Sequence, residues 1–236
     1  MDPAPVKLVN MAEPGVDVEE IADGSIILRS PYSIKCYPDS QSAWILNWAK
    51  KTPNTVFIAD RTGPECSWRT LTYQLFHNHI CAIGQALLDR NLSNDRPVVI
   101  LSDNGIDNAL LLFGAMHVGI PAVPVSPAYS LMSQDFGKLK FIAELVTPGL
   151  VFAEDGSRFA KALSSVSWGD AEFVVSKNVP GGINVTSFDN LLSTAPTSSV
   201  DEAFSKVGPD TVAKILFTSG STGQPKGVIN TQRMLC

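Results

Sequence analysis

Hydrophobic positions along this chain change their period in a regular way, and the changes mark out its elements. From Ser40 to Lys51, Trp44, Ile45 and Trp48 recur at helical spacing, and Thr52-Pro53 ends that helix. FIAD (Phe57 to Asp60) and SWRTLT (Ser67 to Thr72) read as short strands around a Gly63-Pro64 turn. Thr72 is placed to cap a long helix in which Phe76, Ile80, Ile83 and Leu87 fall 4, 3 and 4 apart, one apolar stripe of period 3.6. PVVIL (Pro97 to Leu101) is continuously apolar, the signature of a strand buried on both faces.

The alternation then repeats. Asn104 is expected to cap a helix with Asp107 in its first turn and Ile106, Leu110, Phe113 and His117 on one side; Gly119 closes it and Pro121 prevents continuation. PAVPV follows as a second strand. Ser133 is expected to cap a helix carrying Phe136, Leu139, Ile142 and Val146, stopped by Thr147-Pro148. GLVFA (Gly149 to Ala153) is a third strand, Ser157 to Ser164 a short helix, and EFVVS (Glu172 to Ser176) a fourth strand. Strands separated by helices of these lengths imply right-handed crossovers. The fold class predicted is α/β, with a largely parallel sheet flanked by helices.

The flanking stretches are less regular. Residues 1–25 carry six acids and one lysine, so an N-terminal arm is expected over 1–29, ahead of a domain over 30–236. Lys177 to Pro209 is rich in Gly, Pro, Ser, Thr and Asn and reads as a connecting region, with only FDNLL and VDEAF suggesting helical turns. Val212 to Phe217 restores a strand.

Composition narrows the function classes. The chain has 236 residues, 44% of them hydrophobic, and its 18 basic and 23 acidic residues give a net charge of -5 without any basic run. Nucleic acid and anionic membranes are therefore not expected partners. The longest apolar run, Ala109 to Val125, is interrupted by His117, Gly114, Gly119, Pro121 and Pro124, so no membrane span is expected. Cys36, Cys66, Cys81 and Cys236 form no CxxC pair and no signal peptide opens the chain, which points to reduced thiols and a cytoplasmic protein. Cys66 and Cys81 could in principle join His77 and His79 around a metal. His77 and His79 are two apart on a predicted helix and point away from each other, so packed or surface side chains, and no metal, are expected.

The densest chemistry lies near the end. Thr218 to Gly227, TSGSTGQPKG, holds three glycines, four hydroxyl residues and a lysine in ten positions. Glycines let backbone N–H groups approach an anion, the hydroxyls of Thr218, Ser219, Ser221 and Thr222 add donors, and Lys226 adds a full charge. A strand, a glycine-rich turn and a helix start, capped by Asn230 or Thr231, are expected here to hold phosphate. The spacing is neither Walker A, since Pro225 precedes Lys226 and Gly227 follows it, nor GxGxxG.

TSGSTGQPKG resembles the phosphate-loop signature of the adenylate-forming enzymes: acyl- and aryl-CoA synthetases, luciferases and peptide-synthetase adenylation domains. WRTLTYQLF is similar to that family's early Thr-Tyr helix start, and GAMHVGIPAVPVSPAYS to the segment after its first sheet helix. The stretch LLDRNLSNDRPVVILSDNGIDNALLLFGAMHVGIPAVPVSPAYSLMSQDFGKLKFI and the ending PKGVINTQRML are most similar to bacterial feruloyl-CoA synthases.

The resemblance implies two steps. A carboxylate attacks the α-phosphate of MgATP to give an acyl-adenylate, and coenzyme A then displaces AMP. The small-molecule acid implied is a hydroxycinnamate such as ferulate. Thr218, Ser219, Gly220, Ser221, Thr222, Gly223 and Lys226 would bind the ATP phosphates, with Lys226 an electrostatic clamp on pyrophosphate and no part in proton transfer. Many relatives carry His where Gln232 follows Thr231, so an acyl-pocket role at that position is in doubt. The family's adenine-, ribose- and Mg²⁺-holding stretches and its mobile C-terminal domain are not matched. The resemblance thus implies the N-terminal part of the large domain, inactive alone and tending to aggregate through an apolar face. The alternatives are a non-catalytic nucleotide-binding module and a CoA ligase for another aryl or fatty acid.

Overall fold

The structure, a computed structural model, describes residues 13–63, 65–218 and 223–236. The chain divides into two units, Met1–Tyr37 and Pro38–Cys236. In the first, β1 (Asp17–Glu20) and β2 (Ile26–Arg29) pair antiparallel, and Arg29 forms an ion pair with Glu19. This hairpin has too few apolar residues to stand out from the acidic stretch that contains it.

The second unit begins with α1 (Gln41–Lys51), where Ser40 Oγ accepts from the Ala43 N–H. An antiparallel pair follows, β3 (Val56–Thr62) and β4 (Ser67–Thr72), as the two predicted strands require. Thr72 Oγ1 accepts from the Leu75 N–H and opens α2 (Tyr73–Asp89), whose predicted stripe of Phe76, Ile80, Ile83 and Leu87 is fully buried. Strand β5 (Val98–Leu101) leads to α3 (Ile106–His117) and β6 (Ala122–Val125). Next come α4 (Pro127–Leu131), α5 (Gly137–Val146), β7 (Leu150–Asp155), α6 (Gly156–Ser165) and β8 (Glu172–Lys177). The chain continues through β9 (Thr186–Ser187), α7 (Phe188–Leu192), α8 (Ser198–Ser205), β10 (Val212–Thr218), β11 (Lys226–Thr231) and α9 (Gln232–Leu235).

Seven strands form one sheet in the order β11-β10-β6-β5-β7-β8-β9, parallel throughout except for the antiparallel β10–β11 pair. The predicted α/β class with a largely parallel sheet is therefore the one observed. Two apolar layers cover the sheet. Val98 and Ile100 of β5 point into a cluster with Phe76, Ile83, Leu110, Phe152 and Leu191. Val99 and Leu101 point the other way, against Leu139, Ile142, Phe159 and Leu163. From β5 the chain steps to β6 on one side and then back across to β7 on the other. With right-handed crossovers, that reversal sends α3 to one face and α5 to the other.

Several local expectations are corrected. Asn104 does not cap α3. Gly105 occupies the cap position, and the first helical N–H, that of Ile106, donates to Asp60 Oδ2 of β3 at 3.0 Å. Ser133 Oγ accepts from the Phe136 N–H at 3.0 Å, but α5 starts only at Gly137 because Phe136 is left-handed at φ 55° and turns its ring into the core. The region 177–209 is more than a connection. Three of its apolar residues, Phe188, Leu191 and Val200, are buried in the first cluster. Gln85 Oε1 also accepts from the Thr197 N–H at 2.9 Å, pinning the start of α8.

Helices α2 and α3 approach closely at Gly114. A Cβ there would lie 2.6 Å from Ile83 Cγ2 and 2.9 Å from Ile83 Cβ, and Ile83 is fully buried. Gly114→Ala is expected to destabilise the chain by about 1–3 kcal/mol through overpacking, despite alanine's better helix propensity. A denaturant midpoint that falls with an unchanged m-value would bear this out, and an unchanged midpoint would show that the crossing has slack.

Candidate functional site

Parallel strands in open α/β sheets present ligands at their carboxyl ends, where the strand order reverses. At that edge β5 runs into Ser102, β6 into Ser126, β7 into Glu154 and Asp155, β8 into Lys177 and β10 into Thr218. Ser102 Oγ lies 3.2 Å from Glu154 Oε2, Lys177 Nζ donates to Glu154 Oε1 at 2.8 Å, and Arg158 pairs with Asp103 at 2.7 Å. The hydrogen bond to the Glu154 carboxylate holds the Lys177 ammonium above the usual lysine pKa. Polar groups collect here because β5, β6 and residues 150–153 of β7 are apolar along their length.

The glycine-rich loop joins β10 to β11 at this edge. Thr218 and Lys226 are partners in the antiparallel register and both side chains are exposed, so a hydroxyl and an ammonium flank the mouth of the loop. Gly223 follows at φ +102°, which an L side chain rarely adopts, and Pro225 is buried. Ser219, Gly220, Ser221 and Thr222 lie outside the described residues.

The element after the loop is a correction. A helix start was expected there, and a strand stands in its place; the helix begins only at Gln232, with Thr231 at its N-cap position. KGVINT carries the β-branched residues Val228, Ile229 and Thr231, and it pairs with β10 along its length. The charge at this loop therefore comes from Lys226 and local N–H groups, without a helix dipole directly behind it.

Beside the loop a cavity of about 480 Å³ is lined by Tyr129, Met132, Ser133, Asp135 and Lys138 together with Gly223 and Gln224. Lys138 Nζ sits 5.2 Å from the Tyr129 ring centroid, a cation–π contact that holds a second ammonium beside the loop. Hydrogen bonds from the Gly137 N–H and then the Ser133 hydroxyl hold the Asp135 carboxyl below its ordinary pKa. The sequence reading missed Tyr129 and Lys138. The available signal was positional, since both follow the carboxyl end of β6, next to β10. A larger cavity, about 690 Å³ and lined by Arg96, Lys140, Thr147 and Trp168, opens at the amino ends of β5, β7 and β8, away from this polar edge.

A family model described as AMP-binding enzyme matches residues 45–236. The chain belongs to this family. It is 27% identical over 184 residues to the hybrid PKS-NRPS synthetase mycA of Thermothelomyces thermophilus, covering 78% of this chain and 4% of that protein. It is 28% identical over 171 residues to a methyl-dioxo-octahydroindenyl propanoyl:CoA ligase of Rhodococcus jostii, covering 69% of this chain and 33% of the ligase. In fold it resembles the inhibitor-bound N-terminal domain of FACL13 from Mycobacterium tuberculosis, with a TM-score of 0.63 at 20% identity over 83% of this chain and 45% of that one. The chain thus spans a third or less of the curated relatives' lengths. Among the described residues, no helix is long and apolar enough to cross a membrane.

Gln232, whose role the sequence left in doubt, is fully buried. Its Oε1 accepts from the Gln41 N–H at 3.1 Å and its Nε2 donates to the Met116 carbonyl at 3.5 Å, while its own N–H donates to Thr211 O at 3.0 Å. The side chain ties α9 to α1 and α3. Gln232→Ala removes a buried amide and leaves the part-buried Gln41 N–H without its acceptor, while the Met116 carbonyl keeps the Gly119 N–H. It is expected to lose about 1–3 kcal/mol. Equilibrium unfolding checks this, and a loss well below that range would mean that water replaces the amide.

Proposed function

We propose that this protein activates a carboxylic acid with ATP and passes the acyl group to the thiol of coenzyme A, with a hydroxycinnamate such as ferulate as the acid. Residues 30–236 contribute to its adenylation domain. The observation that carries the reading is the register pair of Thr218 and Lys226 at the mouth of a glycine-rich hairpin, on the carboxyl edge of a parallel sheet. Membership of the AMP-binding family supports the nucleotide and the reaction class. The ferulate assignment rests on the similarity of LLDRNLSNDRPVVIL and PKGVINTQRML to feruloyl-CoA synthases. The free cysteines fit a reducing, cytoplasmic compartment.

In the first step an oxygen of the acid bonds to the α-phosphorus while the bond from that phosphorus to the β-bridging oxygen breaks, releasing pyrophosphate. In the second, the coenzyme A sulfur bonds to the acyl carbon, AMP leaves with the bonding pair, and the thiol proton goes to solvent. Thr218, Ser219, Gly220, Ser221, Thr222, Gly223 and Lys226 hold the β- and γ-phosphates. The donor set suits that role: hydroxyls, an ammonium and glycine N–H groups, with no carboxylate among them. Magnesium, when bound with the nucleotide, would share the neutralisation of phosphate charge. Lys226 works by position and charge, as transfer to phosphorus requires.

Pyrophosphate release and thioester formation should be measured with ferulate, coumarate, benzoate and a medium-chain fatty acid, on protein expressed from its own coding region. Ferulate is expected to be preferred, with thioester formed only when coenzyme A is present. Lys226→Ala should lower adenylation roughly 10- to 150-fold, the loss of a charge-assisted contact worth about 1.5–3 kcal/mol. Unchanged adenylation in that variant refutes the phosphate role. Pyrophosphate release without transfer to coenzyme A would instead favour a carrier-protein thiol as acceptor, in line with the likeness to a PKS-NRPS synthetase.

A further inference from the structure

Three side chains outside the loop chemistry converge where α2 crosses α3. His77 and Cys81 are four apart on α2 and so share a face, and His117 reaches them from the last turn of α3. Cys81 Sγ lies 3.8 Å from His77 Nε2 and 3.8 Å from His117 Nε2, and the three potential ligand atoms all fall within 4.8 Å of one another. His117 is 2% exposed, and its Nδ1 has no hydrogen-bond partner. The ring is clamped by Phe204 of α8, stacked on it at 4.5 Å, and by His77, edge-on at 5.9 Å.

We propose that His77, Cys81 and His117 form a binding site for a zinc-class divalent ion, with water as the fourth ligand. Two imidazoles and one thiolate are a donor set that such ions take in tetrahedral geometry. With Zn–S near 2.3 Å and Zn–N near 2.0–2.1 Å, the edges of that tetrahedron are about 3.4–3.6 Å. The two S···N edges here are only a few tenths of an ångström longer, so the remaining adjustment is a closing of the histidine pair. His77 and Cys81 are half-buried, which leaves a route for the ion and its water, whereas His117 forms the closed back of the site.

Burial, and then the neighbouring His77, push His117 down to about 4. Burial also raises the Cys81 thiol to about 11, so in the free protein it is a thiol and no reactive nucleophile. A bound cation reverses that preference: Sγ binds as thiolate and its proton is released to solvent. Asp201 of α8 is the carboxylate whose charge bears on both His77 and Cys81, while Lys50 of α1 opposes a cation near His77. An ion here would join α2 to α3 directly beneath α8.

The test is a titration of Co²⁺, then Zn²⁺, into chelator-treated chain in which Cys36, Cys66 and Cys236 are replaced by Ser. One cobalt per chain is expected, with a near-ultraviolet thiolate-to-cobalt charge-transfer band that zinc abolishes by displacement. Cys81→Ser should lose that band, and His77→Gln should weaken binding at least about 10-fold, the effect of removing even a supporting partner of a metal ligand. His79→Gln, two positions along α2, should bind as the parent does. Zinc should raise the melting temperature of the parent and not that of Cys81→Ser. If Cys81→Ser does not fold, the half-buried His77→Gln and the His79→Gln control carry the comparison. Absence of the band, its survival in Cys81→Ser, or equal weakening in His77→Gln and His79→Gln overturns the proposal.

Discussion

Everything in the second unit depends on burying β5 on both faces. Val98 and Ile100 need one apolar cover, Val99 and Leu101 another, and none of the four is accessible to water. A strand with no polar side chain in its interior cannot carry chemistry along its length. Ionisable and hydroxyl groups are therefore confined to its ends, and the crossover rule gathers the carboxyl ends of β5, β6, β7, β8 and β10 at one edge. Glu154, Lys177 and Thr218 meet the solvent there for the same reason that Val99 does not. The site is a consequence of how the core is covered.

The covering layer on the α2–α3 side is held by contacts that are distant in sequence. Gly114 lets α3 approach Ile83 of α2, and Asp60 of β3 satisfies the N-terminal end of α3. Gln232, just past the loop hairpin, joins α1 to α3. The hairpin that presents Thr218 and Lys226 is thus anchored at its far end to the helices that pack on β5. Strand β11 has only β10 beside it, with Val228 and Ile229 exposed, so that anchor matters more than it would for an interior strand.

Periodicity made the local elements legible. The stripe of Phe76, Ile80, Ile83 and Leu87 and the unbroken PVVIL both specify burial that neighbouring residues alone determine, and both are observed. What the sequence concealed is non-local. Asn104 is a good cap by type, but Asp60, 46 residues before Ile106, accepts the first α3 N–H. FDNLL and VDEAF read as helical turns and are helical, in α7 and α8, but that Leu191 and Val200 bury against the first cluster was not legible locally. The thiol–imidazole cluster was half legible: His77 and Cys81 at i and i+4 could be seen to share a face, whereas the comparison with His79 led away from it. His117 could be placed beside them only once the helix crossing was known. Of the phosphate-loop residues, composition indicated the donors but not the element that follows them.

That last difference changes the physics of the candidate site. A helix start behind the loop would have supplied about half a positive charge from its unpaired N–H groups. A strand supplies no such summed dipole: alternate N–H groups of β11 bond to β10, and the others face outward from the sheet edge. Neutralising a polyphosphate then falls to discrete cations, of which Lys226 stands at the mouth of the hairpin and Lys138 beside the adjoining cavity. Such charges sit on flexible stems and are hydrated until a ligand displaces the water, so their contribution depends on how closely the loop folds over the anion. In the phosphate role proposed above, the glycine and hydroxyl residues of the loop would let backbone N–H groups approach the anion, and Lys226 would supply the charge that a helix would otherwise have provided.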